Sequence, residues 1–379
     1  NNMILDCTIR DGGYYNNWDF DFELAKKYIR QIYESKVDCI EIGYRSLKND
    51  NYYGPFYYCS EDFLNSLNIP SDLSVAVMVN ANEIEHYQNL NHDLIDDLFE
   101  DKDKSIISLV RIASDLGSVV NIIPAINKLK KKGYKVSLNL MKITSISDQD
   151  LISIMQTLMK ECNIDIFCIA DSFGNLSQLM LLEKIKLIKA SWNSDIGVHL
   201  HNNQGRACAS ALVAYKSGID WVDTTVLGMG RGAGNASTEC LMLDINEQNF
   251  NESKRYKPEK LFGIILNEFS ELKDKYQWGY NLLYEISSRY ALHPNHVMEL
   301  MTSRNRYSPD QMLESMYKII EQHSNIELKE NDLDKSYQIK NVWNAKTYIE
   351  NKLVLILGPG NEGNKHSSEL KHFIKNKKP

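Results

Sequence analysis

Short apolar runs and longer helical patterns alternate eight times along the first two-thirds of this 379-residue chain, and that alternation limits the fold more than any single motif. The runs are MILDCTI from Met3, VDCIEIGY, LSVAVMVN, SIISLVRIA, KVSLNLMKI, IDIFCIAD, DIGVHLH and DWVDTTVLG. Between them lie segments such as FELAKKYIRQIYES from Phe22, DQDLISIMQTLMKE and GRACASALVAYKSG, each long enough for a helix. A polar, tyrosine-rich excursion from Arg45 to Ser60 interrupts the second unit. The runs are rich in β-branched and apolar residues without clean polar alternation, which suits strands buried on both faces. Strands alternating with helices of about ten or more residues imply parallel βαβ units. Eight such units in about 245 residues fit the length and count of a (β/α)8 TIM barrel, here expected over 3–250. A doubly wound open sheet is the competing α/β arrangement, and it rarely runs through so many consecutive units.

Beyond the barrel the pattern turns helical over 251–342, with KPEKLFGIILNEFSELKDKY, NLLYEISSRYA and SPDQMLESMYKIIEQH. The last has Ser308 as N-cap and Pro309 at the first helical position. From 343 to 379, KLVLILGPGNEGNKHSSELKHF follows the order strand, glycine turn, helix. That is the start of a truncated α/β unit, and the chain is expected to be the N-terminal portion of a longer protein. Gly358, Gly360 and Gly363 spell GxGxxG there, which holds a dinucleotide pyrophosphate in some folds and is a plain βα turn in others.

Composition narrows the partners. With 43% hydrophobic and 25% charged residues the chain is ordinary for a globular protein. A net charge of −7 offers no footprint for nucleic acid or for an anionic membrane, and no apolar window approaches the length of a membrane span. Seven cysteines, odd in number and never spaced as CxxC, suit buried thiols in a reducing cytoplasm.

In a barrel of this kind the chemistry sits at the carboxyl ends of the strands. The first end supplies Arg10 and Asp11, the second Glu41, the fifth Asn139 and Lys142, the sixth Asp171, and the seventh His199 and His201. Residues two apart on a strand share a side, so both histidines are expected to face the barrel mouth. Asp11 lies close enough, through barrel closure, to join them on one divalent cation. Two imidazoles and a carboxylate leave positions open for substrate and water. A salt-bridged Arg10–Asp11 turn beside two core histidines is the structural alternative. The eighth end gives GMGRGAGN, either a close-approach loop that puts Asn235 near the metal, a cradle for phosphate, or a simple turn.

TIRDGG, ADSFGN, HLHNNQG and GMGRGAGNASTE, in this order on these strands, resemble the metal-dependent aldolase and acyltransferase superfamily, the DRE-TIM or HMG-CoA lyase-like group. The spelling of the glycine loop and the segment WGYNLLYEISSRYAL are most similar to the 4-hydroxy-2-oxovalerate aldolases. The resemblance spans roughly 3–320 and implies Mn2+ or Mg2+ held by Asp11, His199 and His201, with Asn235 beside them. It implies that Arg10 steadies an enolate, that Glu41 supports Arg10 or the metal's water, and that Ser172 and Asn139 meet substrate. Glu41 as a plain ion pair is the alternative. Three departures qualify it. Tyr14 stands where those aldolases carry an acid/base histidine, three residues after the aspartate. A phenol near pKa 10 is a poor base, so Tyr280, Asp171 or a metal-bound water are further candidates for proton transfer. The loop cysteine of the methylglutaryl-CoA lyases is missing, and the long regulatory domain of the isopropylmalate synthases is not in the chain.

The expected activity is that of a carbon–carbon lyase, cleaving or forming a 4-hydroxy-2-oxo acid from pyruvate and an aldehyde through an enolate held at the metal. A Claisen-type acyltransferase joining an acyl-CoA to a 2-oxo acid is the runner-up. The helical region is expected to make contacts in a homodimer or higher homo-oligomer. A dehydrogenase partner consuming the aldehyde is compatible with the resemblance but has no signature in the sequence.

Overall fold

The computed structural model describes residues 2–48, 51–248, 255–302 and 307–323. Eight parallel strands close into a barrel in sequence order: β1 Met3–Asp6, β2 Cys39–Tyr44, β3 Ser74–Asn80, β4 Leu109–Ser114, β5 Lys135–Leu140, β6 Ile166–Asp171, β7 Asp195–Leu200 and β8 Trp221–Thr224. Closure is made by β1, whose Leu5 pairs with Cys39 on one side and Asp223 on the other. One principal helix follows each strand: α1 Phe22–Glu34, α2 Glu61–Ser66, α3 Ala81–Asn89, α4 Ile123–Lys131, α5 Asp148–Glu161, α6 Gln178–Ser191, α7 Ala207–Lys216 and α8 Thr238–Gln248. Shorter helical turns lie in the loops. Several helices begin at side-chain caps that satisfy free backbone donors: Asp21 accepts from Leu24 N at 2.8 Å, Ser147 from Asp150 N at 3.1 Å, and Ser177 from Met180 N at 3.2 Å.

Strand alternation sorts each run into two layers. Ile4, Ile40, Val77, Val110, Leu138, Phe167, Val198 and Val222 turn outward and are buried under the helices. Leu5, Cys7, Cys39, Ala76, Leu109, Ile166 and Trp221 turn inward and pack together as an apolar plug. One inward step further along, the interior becomes polar, with Glu41, Arg111, Ser137 and Asp223 all buried. The plug seals one end of the barrel, so the polar layer and the loops beyond it are where chemistry has room.

After α8 the chain is helical, as expected: α9 Glu259–Ile264, a π-helical turn Ile265–Phe269, α10 Ser270–Tyr276, α11 Leu282–Arg289, α12 Pro294–Thr302 and α13 Pro309–His323. Ser308 Oγ accepts from Gln311 N at 3.3 Å, the cap expected for α13. This region buttresses the loop after β8. Trp278 Nε1 donates to Leu227 O at 3.0 Å, and Tyr284 and Pro294 lie against Gly232. The unit 343–379 and its glycine motif fall outside the described residues. Among the described residues no helix is long and apolar enough to cross a membrane.

Candidate active site

Asp11 does not follow β1 as a simple loop residue. It sits in a one-turn helix, Thr8–Gly12, that also carries Arg10 and is fully buried. His199 on β7 and His201 just past its end face inward together, with ring centroids 4.9 Å apart. Asp11, His199 and His201 each bring a ligand atom to within 4.8 Å of the others. The rings' second nitrogens are already engaged. His199 Nδ1 bonds Asp223 Oδ2 at 3.0 Å, and His201 Nδ1 lies 3.3 Å from Gly234 O. Each bond turns Nε2 toward Asp11, the outer-sphere arrangement that orients imidazole ligands on a metal. Asn235 bridges to His201 and donates from Nδ2 to Asp11 Oδ2, while its own Oδ1, buried, has no partner. An orphaned amide oxygen beside a carboxylate and two free imidazole nitrogens is a donor set suited to a divalent cation. A second group, Cys7, His199 and Asp223, is less suited. Burial pushes the Cys7 thiol well up, so it stays protonated, and Asp223 already holds His199 and Arg111.

The glycine loop makes this approach possible. A Cβ on Gly230 would stand 2.5 Å from Asn235 Nδ2 and 2.7 Å from Asp11 Oδ2. Of the three sequence readings, the close-approach loop is the one the structure adopts.

Behind the candidate ligands runs a buried ring of charge. Arg10 Nε donates to Glu41 Oε2 and Arg10 Nη1 to Asp11 Oδ1, both at 2.7 Å. Glu41 Oε1 lies 3.1 Å from Arg111 Nη1, an ion pair short of hydrogen-bond alignment, and Arg111 Nη2 reaches Asp223 Oδ2 at 2.5 Å. His199 then returns to Asp11, 3.9 Å from Nε2. Burial alone would raise the Asp11 carboxyl, but Arg10, His201 and His199 outweigh it and hold it below the usual carboxylate range. Burial, then His199, holds the His201 imidazole well below its ordinary pKa and so neutral. Both effects favour the forms that ligate metal.

The cavity above this ring has an empty volume of about 470 Å³, including its open mouth. Arg10, Asp11, Tyr14, Asn139, Ser172, His199 and His201 all line it, as the strand-end reading expects. Tyr14 OH pairs with Tyr44 OH at 2.9 Å. Ser172 Oγ accepts from Lys142 N at 2.9 Å, and Asn139 Oδ1 accepts from Ser137 Oγ at 3.0 Å.

Two proton-transfer candidates are not brought to the cavity. Ala170 and Ser172 line it, so Asp171 between them turns the other way. Its carboxylate accepts the Asn175 and Leu176 backbone N–H groups at 3.0 and 3.1 Å, and burial nevertheless pushes it up to about 7. Tyr280 is 55% exposed and packs over Gly205. Sequence reading also passed over Tyr44, Asn80 and Arg231, which line the cavity, and the ring members Arg111 and Asp223. A charge at the inward register of an otherwise apolar strand, LVRIAS or WVDT, is the signal that marks the last two.

Comparison with known proteins agrees with the barrel and gives its family. A family model described as HMGL-like matches residues 74–262. The oxaloacetate decarboxylase of Mycobacterium tuberculosis is 24% identical over 65% of this chain and 70% of its own length. The 4-hydroxy-2-oxovalerate aldolase of Carboxydothermus hydrogenoformans is 27% identical over 63% of this chain and 69% of its own. The solved N-terminal domain of a candidate aldolase from Bacteroides vulgatus is 31% identical, with a TM-score of 0.69 over 83% of this chain and 99% of that one.

Proposed function

The chain belongs to the HMGL-like family, and from that membership we propose that it is a divalent-metal-dependent lyase joining pyruvate to an aldehyde, or releasing them from a 4-hydroxy-2-oxo acid. The observation that carries the reading is the placement of Arg10. Its Nε and Nη1 are fixed by Glu41 and Asp11, and Nη2 has no protein partner among the described residues. A guanidinium held this rigidly beside the three candidate ligands is preorganised to donate to oxygen charge developing on a 2-oxo acid.

Asp11, His199 and His201 would hold the cation, with Asn235 completing the set; a bound Mn2+ or Mg2+ supplies Lewis-acid polarisation of the keto group. Asn139 and Ser172, on the β5 and β6 side of the mouth, are placed to hold the carboxylate end of the substrate. Tyr14, backed by Tyr44, is the proton carrier. As a base a phenol is weak at neutral pH, but toward the alkoxide formed when an enolate adds to an aldehyde it is a strong enough acid. The Tyr14–Tyr44 pair therefore suits the synthetic direction: water takes the pyruvate methyl proton, the Tyr14 proton passes to the new 4-hydroxyl oxygen, and the proton released to water restores Tyr14. The names of the aldolase and decarboxylase relatives support the same chemistry, since retro-aldol cleavage of a 4-hydroxy-2-oxo acid and loss of carbon dioxide from oxaloacetate both leave pyruvate enolate.

The test is exchange of the pyruvate methyl protons in deuterated water, followed by NMR with and without Mn2+. Exchange that needs the metal and disappears in His199→Ala is the expected result. Exchange absent under every divalent metal would overturn pyruvate as the substrate. Turnover that appears only with an acyl-CoA would replace the lyase by a Claisen-type transferase.

A further inference from the structure

Arg10 and Arg111 each hold two carboxylates. Arg231, the third guanidinium at the site, holds none among the described residues. It lines the cavity, lies half-buried, and has a buried Nε with no hydrogen-bond partner. Its guanidinium carbon sits over the Tyr14 ring at 5.3 Å, a stack that holds the group in place and leaves its donors free. The Asp11 carboxylate is within its electrostatic reach but is already held by Arg10. His293 is kept uncharged, pushed down to about 3 by burial, then Arg231, His296 and Lys142. The Lys142 ammonium is occupied by Asp115 at 3.1 Å.

Charge counting gives this a direction. Arg10, Arg111 and Arg231 cancel Asp11, Glu41 and Asp223, so a bound divalent cation leaves two positive charges at the site. A 2-oxo monoacid meets one of them. A half-buried guanidinium that no carboxylate holds has donors to spare, and an anionic group on the substrate meets them with charge-assisted hydrogen bonds.

We infer that Arg231 selects a substrate carrying a second anionic group, a carboxylate or phosphate, in addition to the carboxylate of the 2-oxo acid. The inference names the substrate class of the lyase proposed above and rests on that reading for the 2-oxo acid end. Pyruvate carries one carboxylate, so in the lyase reading the second anionic group belongs to the aldehyde fragment. Tyr14, stacked against Arg231, would then lie beside the group that binds this anion.

Binding separates the inference from the reaction. The Mn2+-loaded chain is titrated calorimetrically with 2-oxoglutarate and with 2-oxopentanoate, which share chain length and differ in the distal carboxylate. The expected result is affinity about tenfold or more higher for the diacid, a preference that collapses in Arg231→Gln and is partly kept in Arg231→Lys. Inorganic phosphate displacing the diacid more strongly than acetate does would assign the pocket to a phosphorylated aldehyde, and the reverse order to a carboxylated one. Equal affinity for the two oxo acids, no binding of 2-oxoglutarate, or a preference intact in Arg231→Gln would overturn the inference. Loss of pyruvate proton exchange with the preference intact would instead overturn only the pyruvate reading.

Discussion

Asp223 acts on the site through His199. Burial would raise its carboxyl, yet Arg111 and His199 hold it below the usual range, so it stays ionised and accepts from His199 Nδ1. Replacing it with asparagine keeps the shape and removes the charge that fixes the His199 tautomer. We expect Asp223→Asn to weaken Mn2+ binding about 10–100-fold, measured by calorimetry, with the helical signal in circular dichroism retained. Unchanged affinity would mean that packing alone orients His199. At this scale the sequence was most legible where spacing fixes direction. His199 and His201 are two apart on a strand, and TIRDGG follows another, so their meeting could be anticipated. Asp171 shows the limit: position at a strand end puts a residue near the mouth, but only the parity of Ala170 and Ser172 shows that it faces away. Arg231 was hidden inside a motif whose glycines drew the attention.

The loop after β8 and the helix α9 make opposite demands on glycine. Gly234 has φ +74°, and a Cβ there would stand 2.1 Å from the carbonyl oxygen of Gly228, which is backbone and cannot step aside. The same residue offers its own carbonyl to His201. Gly234→Ala should destabilise the protein by about 2 kcal/mol or more and weaken Mn2+ binding with it. Gly263, inside α9, has open space around its Cβ position. Gly263→Ala should stabilise by up to about 1 kcal/mol through lost backbone freedom in the unfolded chain. Urea unfolding of both variants checks the pair, and equal effects would mean that the loop backbone relaxes freely. The eight strands were readable because each run is short, apolar and followed by a helical period. The one-turn helix Thr8–Gly12, the π-helical turn and α12 were not. The first two are too short for a period to show, and α12 follows a His-Pro step that resembles a loop.

The candidate ligands are far apart along the chain, Asp11 just after the first strand and the histidines on the seventh. They meet because β8 bridges β1 and β7, so their meeting is a property of the closed barrel. An ion that binds only the folded chain must therefore stabilise the whole barrel. At a free Mn2+ concentration one hundred times Kd the gain is about 2.7 kcal/mol, enough at about 2–4 °C per kcal/mol to raise the thermal midpoint by about 5–11 °C for a domain of about 150–250 residues, and by less for a longer one. We expect that rise on adding Mn2+, its reversal by a chelator, and its loss in Asp11→Asn. The variant also separates specific from surface binding, because the exposed acidic residues remain in it. A shift that survives in Asp11→Asn would place the ion elsewhere and remove the basis for reading Arg10 as the group beside the substrate's keto oxygen. A shift lost with Asp11 ties first strand to seventh through one ion, which only a closed barrel permits.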